Sequence, residues 1–216
     1  MTSSSPSRSD RETALAGYVR TRVAGMQDRY RNGDGEALAA MARLRRGVTT
    51  APGSDPALWE LTLADMPDLI ATPDIMTREE HDGVATVWER AAHNAITLHA
   101  VHQQSRSDRM HRTGPTVGAA VAALGRAVGA VDAVRARFHA LGTAGDHDAR
   151  LIHLRGLITQ MRNHGIPLDY ARLAVDLARL DDGTYADRVL LAWGRDYHRK
   201  PTEAEHAADN TEGVKQ

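Results

Sequence analysis

The chain has 216 residues, 42% of them hydrophobic and 25% charged, with a formal net charge of −1 at neutral pH. That is enough apolar material for one globular domain, or two small ones packed together, and no apolar run is long enough to span a bilayer. With no cysteine, disulfides, thiolate metal sites and cysteine nucleophiles are excluded together. The Ser-rich start lacks the apolar core of a signal peptide, so a cytoplasmic location is expected.

Strand signals are nearly absent and helical periodicity recurs along the whole chain, so an all-α fold is expected. Residues 1–10 and 201–216 are polar and aperiodic and are expected to be disordered tails, the second one acidic. Asp34 can cap a helix running to about Arg46. After the Gly/Pro-rich loop 47–56, Asp55-Pro56 places an N-cap before a proline at the first helical position, and Met66-Pro67 ends that helix. Thr77-Arg78-Glu79-Glu80 matches a capping box, with a helix expected from there to about Gln103. The polar stretch Gln104–Gly114 follows, and Gly114-Pro115 opens another helix. Asp146 or Asp148 can cap a segment ending at Gly165, with Leu151, Leu154, Ile158 and Met161 as its apolar stripe. Asp169 and Thr184 can cap the last two helices, with Leu173, Leu177 and Leu180 in one core stripe and Leu190, Leu191 and Trp193 in the other.

The near-zero net charge hides an uneven distribution. Residues 20–46 carry seven arginines against three acids, residues 135–172 six against three, and residues 55–82 eight acids against one arginine. Arginine outnumbers lysine 25 to 2; codon bias accounts for such a ratio, but arginine also makes forked contacts with phosphate that lysine cannot. Position has to separate the two readings. Arg43, Arg45 and Arg46 sit at a helix C-terminus, where complementing the helix dipole by about 0.3–1 kcal/mol is sufficient reason for them. Arg155 and Arg162 are seven apart and share a helix face that can follow a phosphate backbone or simply be solvated. The loop carrying Arg106, Arg109 and Arg112 reads equally as a solvated linker or a surface facing DNA. His99 and His102 have metal-ligand spacing, but no carboxylate accompanies them. His147-Asp148 has the form of the dipeptide in helical metal phosphohydrolases, with His93 or His99 as a conceivable upstream ligand, yet it stands where a helix cap is needed. Trp59, Trp88 and Trp193 are expected in the core.

Several of these segments, in order, resemble the CasB family, the small subunit of the type I-E CRISPR Cascade surveillance complex. They are Ala42-Arg43-Leu44-Arg45-Arg46, Gly114-x-x-x-Gly118, Arg135 to Leu141, Leu154-Arg155-Gly156-Leu157-Ile158, Gly165 to Tyr170, and Trp193-Gly194-Arg195-Asp196-Tyr197. The similarity runs from about Thr13 to Arg199. It implies an all-α helical domain over 11–200, built of two packed sub-bundles at roughly 11–113 and 114–200. It implies a non-catalytic protein without metal or cofactor. Its partners would be the backbone and large Cascade subunits, a second copy of itself, guide RNA and target DNA. In that setting base pairing reads the sequence and protein–backbone contacts tip a nearly balanced strand exchange. The resemblance assigns phosphate contacts on the target and displaced strands to Arg45, Arg46, Arg137 and Arg155, with Arg43, Arg109, Arg112, Arg135 and Arg162 beside them. Two departures stand out: Gly156 replaces a second basic residue after Arg155, and Asp181-Asp182-Gly183 replaces a connection that can be basic. The alternative from another class is an HD-type phosphohydrolase using His147 and Asp148; a free-standing transcription regulator lacks a recognisable base-reading helix.

Overall fold

Short polar side chains set where the helices begin. In the computed structural model, which describes residues 6–71 and 76–199, the helices are α1 (Arg8–Arg31), α2 (Gly35–Arg46), α3 (Pro56–Thr62), α4 (Asp68–Ala71), α5 (Arg78–His81), α6 (Val87–Gln103), α7 (Val117–Val128), α8 (Val131–Gly142), α9 (His147–Asn163), α10 (Tyr170–Asp181) and α11 (Ala186–His198). A 3-10 turn at Gly47–Thr49 follows α2, and among the described residues there is no strand, only one isolated bridge between His111 and Leu168. Asp34, Asp55 and Asp169 each accept a backbone N–H of the first turn they precede, as the sequence anticipates, and of the alternatives Asp146 and Asp148 it is Asp146 that caps. No described helix is long and apolar enough to cross a membrane.

The departures from the expected boundaries have local causes. Ser7 and Asp10 form a capping box that starts α1 at Arg8, inside the segment expected to be a tail; residues 1–5 and 201–216 lie outside the described residues. The capping box at Thr77 is real but nucleates a single turn, because Gly83 at φ +96° turns the chain away. A second box, Thr86 with Glu89, then begins α6. Helix α3 stops at Thr62, before Met66-Pro67, and Asp65 takes a left-handed φ of 57° in the turn between them. Thr184 caps nothing: α11 starts after Tyr185 without a side-chain cap.

Helix α6 is the axis of the molecule. Every residue from Ala91 to Gln103 is buried, although six of them are His93, Asn94, Thr97, His99, His102 and Gln103. A helix buried on all sides is normally apolar all round. Here each of the six side chains has at least one polar partner instead: Thr97 bonds the His93 carbonyl, Asn94 meets His147, and His99 meets Gln27, although His102 Nε2 is left without one. Helices α1, α2, α9 and α10 pack around α6, and α1 also lies along α10. There Glu12 accepts a forked pair from Arg179, at 2.9 and 2.6 Å, and a further bond from Arg8, which hold its carboxyl below the usual carboxylate range. Apolar side chains from both sides of residue 113 belong to one continuous core.

Helices α7 and α11 cross at Gly118. A Cβ there would overlap the Trp193 carbonyl oxygen and stand 2.9 Å from its carbon and 3.0 Å from Tyr197 N. Trp193 is buried and its Nε1 donates to Asp176 Oδ2 at 2.7 Å. Val189 and Trp193 anchor α11, whereas Leu191, expected in that stripe, is exposed. Leu38, on α2, is likewise on the surface, and so is Trp59, at 48% exposure, because α3 is only seven residues long and turns one face to the core.

Candidate nucleic-acid interface

The arginines singled out by sequence fall into separate groups. Arg43, Arg45 and Arg46 form the last turn of α2, with Arg43 and Arg46 exposed and Arg45 half-buried. That turn sits beside the N-terminal half of α6, because the carbonyl of the next residue, Gly47, is 3.2 Å from His93 Nε2. A second group gathers at the other end of α6. Arg162, on the last turn of α9, donates to Gln104 Oε1 at 3.0 Å. In the loop after α6 Arg109 lies 2.8 Å from Asp28 of α1, and Arg112 is exposed. His93 and Gln103, near the two groups, are about 15 Å apart along the axis of α6. Arg135 and Arg137 are on the exposed face of α8, and Arg155 is on the exposed face of α9, which packs against α8.

Pairing distinguishes them further. Arg135 is tied to Asp132 at 2.6 Å, Arg109 to Asp28, and Arg137 reaches only the Ala133 carbonyl at 3.4 Å. Among the described residues no carboxylate or hydrogen-bond acceptor engages the guanidinium of Arg43, Arg45, Arg46, Arg112 or Arg155. Dipole complementation covers the first three. It does not cover Arg155, which stands in the middle of α9 with the exposed Gly156 beside it.

The acidic connection that departs from the family pattern is occupied internally. Asp181, nearly buried, lies 2.9 Å from His147 Nδ1, 3.4 Å from Arg150 and 3.8 Å from Arg90, and Asp182 pairs with Arg8. Arg8 also stacks over Tyr185, its guanidinium carbon 4.2 Å from the ring centre. These arginines are therefore committed to holding α1, α6, α9 and the α10–α11 turn together.

The arrangement needed for the phosphohydrolase alternative does not form. Both ring nitrogens of His147 are engaged, Nδ1 with Asp181 and Nε2 with Asn94 at 3.0 Å, while Asp148 is an exposed first-turn residue. The ring nitrogens of His93 meet Thr62 Oγ1 and the Gly47 carbonyl. Among the described residues no group of three or more His, Asp or Glu side chains converges. His99 and His102 serve a buried network rather than a ligand pair: His99 Nε2 is 3.4 Å from Gln27 Oε1, and His102 Nδ1 is 2.9 Å from Tyr170 Oη. Burial pushes His102 down to about 3 and His99 well below its ordinary value, and pushes the Tyr170 phenol up, so all three are neutral at pH 7.

Two surfaces escaped the sequence reading. Trp59, assigned to the core, instead lines a groove of about 1100 Å³ with the unpaired Arg43 and the alanines of α2. A second groove, about 770 Å³, runs between α7, the 164–167 turn and the end of α11, and Arg126, Arg172 and His164 line it. A signal for Arg172 was available: it is a cation in the first turn of α10, where the dipole disfavours one.

Comparison with known proteins places this geometry. The sequence profile of the family described as CRISPR-associated protein Cse2 matches residues 40–198. The crystal structure of CasB from Thermobifida fusca is similar at 36% identity, with a TM-score of 0.72 over 86% of this chain and 98% of that one. A Cse2-family CRISPR-associated protein from Thermus thermophilus shares the fold at 23% identity, with a TM-score of 0.59 over 85% of this chain and 97% of that one. No curated protein matches the sequence.

Proposed function

The chain belongs to the Cse2 (CasB) family of CRISPR-associated proteins, and on that premise we propose that it is the non-catalytic small subunit of a type I-E Cascade complex, in the cytoplasm, acting in antiviral defence. It clamps the target and displaced DNA strands through arginine–phosphate contacts and so stabilises the R-loop opened by the guide RNA. Its protein partners are the backbone and large subunits, together with a second copy of itself.

The observation that carries this reading is the set of exposed or half-buried arginines without an internal anion, Arg155 above all, because no helix-end effect accounts for it. An unpaired guanidinium keeps its fork of donors available to phosphate oxygens, and such contacts are blind to base sequence. The strongest assignments are Arg45, Arg46, Arg112 and Arg155. Arg137 and Arg43 follow, while Arg109, Arg135 and Arg162 would have to exchange or share their present partners.

Two measurements test the proposal. Affinity purification from the native cell should recover companion subunits and short guide RNAs; recovery of the chain alone would end the assembly reading. Replacing Arg45, Arg46 and Arg155 together by alanine should weaken DNA binding and flatten its salt dependence by about 0.7–0.9 log units per log unit of salt for each phosphate no longer neutralised. The circular-dichroism melt should fall by no more than a few degrees, the share owed to the dipole of α2. A strong melting shift, or unchanged binding, would refute the assignment.

A further inference from the structure

The loop between α6 and α7 is held from beneath by two completely buried glutamines. Gln27, on α1, accepts the His111 N–H at 2.7 Å through Oε1 and donates to the His111 carbonyl at 3.3 Å through Nε2. Its amide thus pairs with one residue's backbone as a neighbouring strand would. Gln103, the last residue of α6, donates to the carbonyls of Arg106 and Asp108 at 2.9 and 2.7 Å and accepts the Met110 N–H at 3.1 Å. The far side is closed by the α9–α10 connection. Leu168 N donates to the Met110 carbonyl at 3.0 Å, Arg112 N donates to the Leu168 carbonyl at 3.3 Å, and Gly114 N donates to Asp169 Oδ2 at 2.9 Å. Asp28, next to Gln27 in the chain, fixes Arg109.

Leucine or methionine would fill positions 27 and 103 without the desolvation cost of an amide. Besides the contact of Gln27 with His99 Nε2, the two amides add a fixed backbone for residues 106–112, and therefore a fixed origin for the side chains of Arg109 and Arg112. We propose that Gln27 and Gln103 are positioning residues, which hold this loop in one conformation so that Arg112, with Arg109 beside it, meets a nucleic-acid phosphate already ordered. The inference rests on the phosphate-contact reading above. Preorganisation of this kind lowers the ordering cost that binding otherwise incurs, which corresponds to about two- to tenfold in affinity for one side chain.

The test is a double-mutant comparison on the full chain. Binding of a fluorescein-labelled single-stranded oligodeoxynucleotide is titrated for the parent and for Gln27→Leu. It is also titrated for the Arg109→Ala, Arg112→Ala pair and for the three substitutions combined, with amide hydrogen exchange followed over residues 104–112. Gln27→Leu should speed exchange in the loop and weaken binding about two- to tenfold, and that loss should vanish when both arginines are already alanine. An equal loss in both backgrounds would make the glutamine merely structural and overturn the proposal. So would a loosened loop with unchanged binding. If the arginine pair alone leaves binding unchanged, the phosphate reading of this loop falls, a result distinct from the other two. Should Gln27→Leu fail to fold, Gln103→Leu is measured in the same way.

Discussion

Gly118→Ala probes the closest approach in the fold. The added methyl overlaps the Trp193 carbonyl oxygen, which is helix backbone and cannot rotate aside, so α11 must move by more than an ångström. Overpacking a well-packed contact costs about 1–3 kcal/mol. The shift also stretches the bond between Trp193 Nε1 and the buried Asp176 carboxylate, of a type worth about 1.5–3 kcal/mol. Against this, alanine gains about 1 kcal/mol of helix propensity over glycine. The expected net loss is about 2–4 kcal/mol, read by urea unfolding with tryptophan fluorescence as a lower midpoint at unchanged slope. For a chain of this size the melting temperature should fall by about 5–15 °C. Gly156→Ala is the control: it is helical and exposed, nothing lies within 4 Å of its Cβ position, and it should stabilise by about 1 kcal/mol. If Gly118→Ala proves as stable as the parent, the close approach of α7 and α11 is wrong.

Burial raises Asp176 to about 6, so the folded state is favoured below the unfolded carboxyl value and that advantage is lost as pH rises through about 6. Asp176→Asn, which keeps an acceptor for Trp193, should therefore gain up to about 3 kcal/mol on the parent at pH 7 and nothing near pH 4; equal curves at both pH values would contradict this. His102 behaves in the opposite sense. Its folded value of about 3 means the unfolded chain takes up a proton below about pH 6.5 that the folded chain refuses, costing about 2 kcal/mol by pH 5. His102→Gln should show a shallower acid limb in pH-dependent urea unfolding, and an unaltered limb would count against the buried neutral imidazole. Thr86→Ala, at the cap of α6, should cost about 1–2 kcal/mol, whereas Thr77→Ala, capping a single exposed turn, should stay within a few tenths. Comparable losses at the two positions in chemical denaturation would show that α6 is not the element the cap supports.

The sequence alone determined the all-helical class, most helix starts and the family. Caps act within three or four residues, so Asp34, Asp55 and Asp169 could be read directly, and Asp146 to within two residues. Family likeness likewise lies in the order and spacing of short segments. The tertiary structure alone decided which polar residues are interior. Nothing local in Val87–Gln103 distinguishes a solvated helix from the central one, because its histidines and amides are satisfied by partners as far along the chain as Tyr170 and Gln27. It also decided which arginines are free. Arg8, Arg90, Arg109 and Arg155 look alike in sequence, and their difference lies in whether a distant carboxylate, Asp182, Asp181 or Asp28, arrives beside them. Hydrogen bonds and ion pairs act over a few ångströms in space, and only the packing of α1, α6, α9 and α10 brings residues so far apart in the chain within that distance.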